Sequence, residues 1–334
     1  MKTNTPINIT EDALKEAARK YSKVIKSLPM IVLQDTLQYV TTISGVQGDL
    51  VLSNLKAKGS WASYRKNRDE DNSAAVGGRI LHTDLLSLEM NFDPNTVAGK
   101  LENMRPNVGD TLANLPLVAQ ILAQVVLEAS DELNSSIFTA AKNAESGFTP
   151  STAIDGWDTI AAQEVTKSNI SEEKGNLIDA GSNKLNESNT FDFINYVYLS
   201  LSEKLKKSTE PILFYVSPNV LSYYNAGYLA SVGSVVYNKQ YNQPEILGSN
   251  GRAVIVPLAS KAGSNMIQVT TKSNMIFGTS DPHDMDKLTV KVPELWDVLL
   301  GGTMWAGCQY EFIDPEKFTL VKFGGTAAPT NPFA

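Results

Sequence analysis

The sequence predicts an α+β fold, because helical and extended patterns occupy different parts of the chain. Residues 115–143 carry apolar side chains at spacings of three and four, which indicates one long amphipathic helix. After Pro211, short apolar runs separated by turn residues indicate a series of strands. At 334 residues with 42% hydrophobic residues, the chain can fill a core of its own. No internal repeat is visible, so we do not expect a solenoid or a propeller.

An amphipathic helix is predicted at residues 11–28. Acidic residues lie in its first turn, and Pro29 is expected to end it. Its apolar stripe must pack either on its own domain or on a neighbouring subunit. Three residues of the stripe are therefore candidates for contact between subunits: Leu14, Tyr21 and Ile25.

An extended hairpin is predicted next. Alternating apolar residues favour strands at residues 31–43, 49–55 and 86–92, and the last two flank a polar tip at residues 56–79. Two strands around so long a tip cannot bury both faces in their own domain, so the hairpin needs a partner surface. The tip is either solvated or paired by charge with a neighbouring subunit. The candidate contact residues at the tip are Lys56, Lys58, Trp61, Arg65, Arg68, Asp69 and Glu70.

The remaining elements follow the same two patterns. The helix at residues 115–143 would be about 42 Å long, which is unusual for a compact enzyme domain. Residues 151–189 are rich in Asn, Ser, Glu and Gly and are expected to form an irregular surface loop or a domain boundary. A second helix is predicted at residues 190–208, and Asn250-Gly251 is a hairpin signal. Further strands are predicted at residues 212–216, 235–237, 253–257, 266–271, 275–278, 287–292, 304–313 and 318–323.

Composition excludes several classes of function. A net charge of −7 and a pI near 5.1 oppose broad affinity for the phosphates of nucleic acids. The N-terminus lacks the apolar region of a signal peptide, and no apolar run approaches the ~18 residues of a membrane span. Cys308, the single cysteine, cannot form a disulfide within the chain and is expected to be an inert buried thiol. These features favour folding in the cytoplasm.

No catalytic motif stands out. The chain has two histidines, and HExxH, GxSxG, P-loop, GxGxxG and paired CxxC patterns are absent. His82 is interpreted as a surface side chain, and Gly77-Gly78 and Gly301-Gly302 are interpreted as turns. The Pro-containing acidic segment at residues 281–286 is expected to be a solvated turn between two strands. As an alternative, four side chains of this turn could ligate a divalent metal: Asp281, His283, Asp284 and Asp286.

The order of elements after Pro211 resembles that of a known family. A buried strand, ILFYV, runs into SPNVLSYY, a strand pair follows in NMIQVTTKSNMIFG, and a closing pair of strands contains Gly307-Cys308-Gln309. Together with the N-terminal arm, the long hairpin and the long helix, these segments resemble the major capsid proteins of tailed bacteriophages, whose fold is shared with encapsulins. The resemblance covers nearly the whole chain, and it lies in the order of elements rather than in any single motif.

The resemblance implies a fold and a division into regions. The fold would be the tailed-phage major capsid fold, with an N-terminal arm, an extended β-hairpin loop, a peripheral domain and a mixed α/β axial domain. The hairpin would lie across the adjacent subunit of the same capsomer. The regions would be residues 1–43 for the N-terminal helix and extended arm, 44–92 for the hairpin loop, 93–150 for the peripheral domain with its spine helix and β-sheet, 151–285 for the axial domain, and 286–334 for the return strands of the peripheral domain and the C-terminal tail.

The function that the resemblance implies is structural. The chain would assemble into hexamers and pentamers of an icosahedral shell around double-stranded DNA, with no catalytic residue, no cofactor and no sequence-specific DNA binding. Its partners would be further copies of itself, a portal protein and, where present, a separate scaffold or decoration protein. It would assemble in the host cytoplasm and reside in the virion capsid. Two alternatives stay open: an encapsulin-like nanocompartment shell that encloses cargo enzymes, and a metal-dependent hydrolase that uses the turn at residues 281–286.

Overall fold

Two five-stranded sheets and a separate two-stranded ribbon organise the residues that the computed structural model describes, which are 11–57, 74–92, 117–143, 145, 149–232, 245–294 and 297–327. Helices alternate with these strands along the chain. The α+β class predicted from the sequence is therefore confirmed. Within the part of the chain that is described, no helix combines the length and the apolar character needed to cross a membrane.

The N-terminal region is helical for longer than the sequence pattern predicted. Helix α1 (Glu11–Lys20) is followed by helix α2 (Ser22–Leu37), which contains Pro29. The prediction that Pro29 ends the helix is therefore wrong. The strand predicted at residues 31–43 is also wrong, except for β1 (Thr41–Ile43) at its end.

Packing explains why α2 continues past its proline. Leu33 and Leu37 both fall on odd positions, as the residues of one strand face do, but they also lie four residues apart and form a buried helix face. That face belongs to the same hydrophobic cluster as the long helix α3 (Leu117–Ser136), and the two helices contact each other extensively. Burial of this face compensates for the single backbone hydrogen bond that Pro29 removes.

Helix α3 is shorter than predicted, because its 20 residues span about 30 Å. The residues that follow its C-terminal end are hydrogen-bonded to the segment at residues 156–158. The Asp158 N–H donates to the Phe138 carbonyl and the Gly156 N–H donates to the Ala140 carbonyl, at 2.9 and 2.8 Å. A Cβ atom at position 156 would overlap the carbonyl oxygen of Phe138, so this close approach requires glycine.

Residues 151–189 are more regular than their polar composition predicted. They contain most of helix α4 (Pro150–Ala153), all of helix α5 (Trp157–Thr166) and strand β5 (Leu177–Asp179). The expectation of an irregular loop is therefore wrong for these parts. Trp157 is fully buried, and it attaches α5 to the core although the segment around it is polar.

Two helices replace the single one predicted after residue 190. Helix α6 (Thr190–Ser200) ends at Leu201, whose backbone is extended, and helix α7 (Glu203–Lys206) begins immediately afterwards. The Ser202 hydroxyl accepts a hydrogen bond from the Leu205 N–H and caps α7.

The first sheet is centred on a long strand, β11 (Asp297–Tyr310). It pairs antiparallel with β4 (Asp84–Phe92), β9 (Met275–Thr279) and β10 (Lys287–Glu294), and β1 completes the sheet beside β9. The strands predicted at residues 275–278 and 287–292 are confirmed, and the strand predicted at residues 304–313 is confirmed up to Tyr310. Gly301 and Gly302 lie inside β11, so their interpretation as a turn is wrong.

The second sheet has the order β5-β12-β8-β6-β7 and confirms the strands predicted in this part of the chain. The new members are β6 (Ile212–Val216), β7 (Ala253–Pro257), β8 (Met266–Thr271) and β12 (Phe318–Lys322). Alternate residues of β6 enter two different hydrophobic clusters, one on each face of the sheet. Burial on both faces explains the uninterrupted apolar run ILFYV. The strand predicted at residues 235–237 lies outside the described residues.

The segment SPNVLSYY begins helix α8 (Pro218–Val232). This helix packs on α6 through Phe191 and Tyr224, whose ring centroids are 5.4 Å apart. The predicted turn at Asn250-Gly251 is present, with φ values of 53° and 75°. Such left-handed backbone favours Asn and Gly, which is why this short sequence predicted the turn correctly.

Candidate functional site

A two-stranded ribbon is formed by β2 (Asp49–Ala57) and β3 (Ala74–His82), which pair only with each other among the described strands. The strand predicted at residues 49–55 is confirmed. Its partner is not the predicted strand at residues 86–92, which pairs with β11 instead. Gly77-Gly78 lies inside β3, so its interpretation as a turn is wrong.

One face of the ribbon packs on the body and the other does not. Leu52 and Leu81 are buried and contact Ile276 of the first sheet. On the opposite face Val51 and Ile80 lie directly across from each other and are 64% and 44% exposed. The two side chains form a small apolar surface on the outer face of the ribbon.

An ion pair fixes the base of the ribbon. Arg79 donates to Glu164 of α5 at 3.3 Å and to the side-chain carbonyl of Gln309 at 2.9 Å. Burial raises the pKa of Glu164, whereas a hydrogen bond from Asn169 and the charges of Arg79 and Lys167 lower it, and the net pKa lies below its ordinary value. The carboxylate is therefore charged at neutral pH and holds β3 against α5.

The two candidate histidines lie at the surface. His82 is exposed and its Nδ1 atom lies 2.6 Å from Asp49 Oδ1, in a cross-strand pair at the base of the ribbon. His283 is exposed in the turn between β9 and β10, and its backbone N–H donates to the Asp281 carboxylate. Among the described residues, no three or more His, Cys, Asp or Glu side chains converge as metal ligands. The geometry therefore gives no support to a hydrolase centre at Asp281, His283, Asp284 and Asp286.

A buried polar cluster, which we call the junction, consists of Lys261, Asp158, Ser264 and Gln268. The Lys261 ammonium is fully buried, lies 2.9 Å from Asp158 Oδ1 and is hydrogen-bonded to Gln268. The Ser264 hydroxyl donates to the other oxygen of Asp158 at 2.6 Å. Burial lowers the pKa of Lys261, and the Asp158 carboxylate opposes this change. The junction holds α5 against β8 and offers no opening to a substrate.

Cys308 lies in β11 and is buried, and burial raises the pKa of its thiol. This placement agrees with the expectation of an unreactive structural cysteine.

The residues proposed as contacts between subunits lie in different environments. Ile25 is fully buried in the core of its own chain, which corrects the expectation that it contacts a neighbour. Tyr21 packs partly against the same core, and Leu14 lies in α1 with its side chain outside the described residues. Lys56 is a residue of β2 whose side chain is likewise not described. The other tip candidates lie outside the described residues: Lys58, Trp61, Arg65, Arg68, Asp69 and Glu70.

Sequence reasoning missed the exposed pair Val51 and Ile80. The available signal was the alternation of β2, in which Leu50 and Leu52 share one face and Val51 takes the other. The junction had no local signal, because Asp158 lies about a hundred residues before the segment that carries Lys261, Ser264 and Gln268.

Comparison with known proteins shows the fold. No protein-family model matches the sequence, and no curated protein sequence does. A chain of the capsid asymmetric unit of Cyanophage A-1(L) is 13% identical, with a TM-score of 0.53 and 96% of each chain covered. A chain from the satellite phage P4 procapsid including size determination (Sid) protein is 13% identical, with a TM-score of 0.50, covering 89% of this chain and 98% of that chain.

A virus-like particle from Pyrococcus furiosus is 12% identical with a TM-score of 0.43, covering 90% of this chain and 98% of that chain, and no argument rests on it. Identities this low show the fold alone. The chain has the fold of the two phage capsid chains, which confirms the fold predicted from its order of elements.

Proposed function

We propose that this chain, which has a phage capsid fold, is the major capsid protein of a tailed bacteriophage. The observation that carries this proposal is the match to phage capsid chains along nearly the whole length of both partners. In this role the subunits form hexamers and pentamers of an icosahedral shell. Residues 93–150 and 286–334 belong to the peripheral domain, and residues 151–285 form the axial domain of each capsomer.

The proposed mechanism is geometric rather than catalytic. Complete burial of an aliphatic side chain contributes about 1.5–3 kcal/mol, and the exposed pair Val51 and Ile80 gains only part of this on contact with a neighbour. Each contact is therefore modest. Closed symmetry repeats every contact around the shell, and the combined association is much stronger than any single one.

The charge of the chain fits a container for DNA rather than a DNA-binding surface. A net charge of −7 opposes general binding to phosphates, so the shell encloses double-stranded DNA without binding it tightly. A portal protein supplies the entry point, and a separate scaffold or decoration protein is the further partner in this proposal. Assembly takes place in the host cytoplasm, and the product is the virion capsid.

The test is the assembly state of the full chain. We expect sedimentation velocity and electron microscopy to show rings or shells, for the protein alone or with a coexpressed scaffold protein. A variant in which residues 58–73 are replaced by Asn-Gly should unfold at a similar temperature, because loop length changes chain entropy only slightly, but should assemble poorly. A full-length chain that stays monomeric at high concentration under both conditions would contradict the proposal.

The contents of the particles separate a capsid from a nanocompartment. Particles from the producing cells are treated with nuclease and then analysed for protected DNA and for enclosed protein. Protected double-stranded DNA supports the capsid proposal, and a stoichiometric cargo enzyme without DNA contradicts it.

A further inference from the structure

The junction brings a lysine amine and a glutamine carboxamide into contact inside the core. Lys261 and Gln268 are both completely buried, and the Lys261 Nζ atom is hydrogen-bonded to Gln268 Oε1. The carbon of the carboxamide, Gln268 Cδ, is one covalent bond away from that oxygen. An amine and an amide carbon that are held this close are the two reactants of an amide exchange.

The local fold explains why the two side chains meet. Lys261 ends a short 3₁₀ turn (Ala259–Lys261) after β7, and Gln268 lies in β8, seven residues later. Strands β7 and β8 run in opposite directions, since β6 is parallel to the first and antiparallel to the second. The Ser264 N–H donates to the Lys261 carbonyl at 3.0 Å. The contact is therefore fixed by the backbone of a single reversal of the chain.

Lys261 lies among apolar and aromatic side chains of the core. The centroid of the Phe138 ring is 4.6 Å from Nζ, and Phe138 and Leu258 belong to the main hydrophobic cluster. Burial lowers the pKa of Lys261, although the Asp158 carboxylate opposes this change. The unprotonated form of a lysine is its nucleophilic form, and desolvation raises the population of that form.

Asp158 is placed to move protons between the two nitrogen atoms. Its Oδ1 atom lies 2.9 Å from Lys261 Nζ and accepts a hydrogen bond of 2.5 Å from Gln268 Nε2. Ser264 donates to the other oxygen, Oδ2, at 2.6 Å, which fixes the orientation of the carboxyl group. A general acid or base must lie within hydrogen-bond distance of the groups that it serves, and one oxygen of Asp158 meets this condition for both nitrogens.

We propose that Lys261 and Gln268 become joined by an isopeptide bond within the folded chain, with Asp158 as the catalytic residue. A proton passes from the Lys261 ammonium to Asp158, and the lone pair of Nζ then forms a bond to Gln268 Cδ. The bond between Cδ and Nε2 breaks, and its electron pair leaves with Nε2. Asp158 gives its proton to Nε2 and takes a second one from Nζ, so that ammonia departs and a neutral carboxyl group stays beside the new amide.

The acceptor of the amine is Gln268 rather than Asp158. If Asp158 were the acceptor, the junction would have no second carboxyl group to carry the protons, and the bond would release water instead of ammonia. The inference goes beyond the proposed shell function and does not depend on it, because all four residues of the junction belong to one chain. Subunits that have not reacted keep the ion pair, and the mass of a sample shows which form it contains.

The first test is the intact mass of the folded wild-type chain, measured after purification and during prolonged incubation. We expect a mass that is lower than the sequence mass by one ammonia, whereas an ion pair leaves the mass unchanged. Trypsin cleaves after free lysine, so the linked chain should give residues 253–272 as a single peptide that is uncut after Lys261. Fragment ions should place the loss at Lys261 and Gln268, which distinguishes it from loss of ammonia at Asn265.

Variants test the role of each group. Asp158→Asn keeps the shape of the side chain but cannot carry the proton, and it should slow bond formation by about a hundredfold or more. Gln268→Leu removes the acceptor and should keep its full sequence mass. The matched control is Lys204→Met, because Lys204 is 72% exposed, and this variant should lose ammonia as the wild type does. Thermal unfolding of each variant shows whether it folds.

The wild-type mass decides the inference even where a variant fails to fold. A folded wild-type chain that keeps its full sequence mass through several weeks at neutral and alkaline pH would overturn the inference, and it would leave the shell function intact. Loss of water in place of ammonia would also overturn it, because Asp158 would then be the acceptor. Equal rates of bond formation in Asp158→Asn and in the wild type would overturn the catalytic role of Asp158.

Discussion

The ribbon and the junction differ in which side chains they bury: the junction buries charged groups, whereas the ribbon exposes apolar ones. In the junction, Lys261 and Asp158 are buried and satisfied by residues of the same chain. In the ribbon, the apolar pair Val51 and Ile80 faces outward, and Arg79 at the base provides the attachment to the body. The junction therefore contributes to folding of the single subunit. The inner face of the ribbon shares in that stability through Leu52 and Leu81, whereas we expect its outer face to contribute to association.

The largest effect on stability is expected from breaking the junction. Lys261→Met removes the ammonium and leaves the Asp158 charge buried, which should lower the free energy of unfolding by about 3–5 kcal/mol. Urea unfolding of the dissociated subunit measures it. The matched control is Lys204→Met, because Lys204 is 72% exposed and pairs with Glu316 at the surface, so its loss should cost less than about 1 kcal/mol.

A double variant shows whether the charge is responsible. Lys261→Met combined with Asp158→Leu removes both charges together, and much of the lost stability should return. A loss below about 1 kcal/mol for Lys261→Met alone would show that the junction contributes as little as a surface pair.

A smaller effect is expected from two glycines that differ only in their surroundings. A Cβ atom on Gly307 would overlap the carbonyl oxygen of His82, where the ribbon joins the body. Gly307→Ala should therefore lower the free energy of unfolding by about 1–3 kcal/mol. Gly77, inside the ribbon, has no atom of the described residues within 4 Å of such a Cβ, and Gly77→Ala should be neutral or slightly stabilising.

Both glycine variants are measured by urea unfolding of the subunit under conditions without assembly. Equal losses in the two variants would mean that the ribbon is packed as tightly as the body. That result would contradict the comparison on which the prediction rests.

The difference between local and long-range contacts explains which parts of the fold the sequence could predict. Strands such as β6 and the turn at Asn250-Gly251 are specified by neighbouring residues, so their patterns were sufficient. The continuation of α2 past Pro29 depends on packing against α3, about ninety residues away in the chain, which no local pattern shows. The helix at Trp157 was missed because the polar residues that follow it dominate the composition of residues 151–189, although Trp157, Ile160 and Ala161 are buried in the core.

The candidate site was predicted only in part. The polar tip indicated an unpartnered hairpin, and the structure confirms an exposed ribbon at its base. The stripe of the first helix indicated contacts with a neighbour, but Ile25 is used by its own core, since an amphipathic pattern does not distinguish the two kinds of partner. A groove lined by residues of α3, β4 and β11 was not predicted at all, because only the folded chain brings these three elements together.

The smallest effect is expected where the ribbon meets the body, and it depends on pH. Glu164 has a lowered pKa, so its contribution to stability is fully present above the ordinary value of 4.5 and is lost as the pH falls through the lower pKa of the folded state. Glu164→Gln should lower the free energy of unfolding by about 1–2 kcal/mol at pH 7, because the charged hydrogen bonds from Arg79 and Asn169 are weakened. Unfolding is measured from pH 7 to pH 3, and the difference from the wild type should shrink below pH 4.5. Glu203→Gln serves as the control, since Glu203 is 75% exposed and pairs with Lys206 at the surface. A difference that stays constant over the whole range would show that Glu164 acts through its shape and neutral hydrogen bonds, and that its charge does not hold the ribbon to the body.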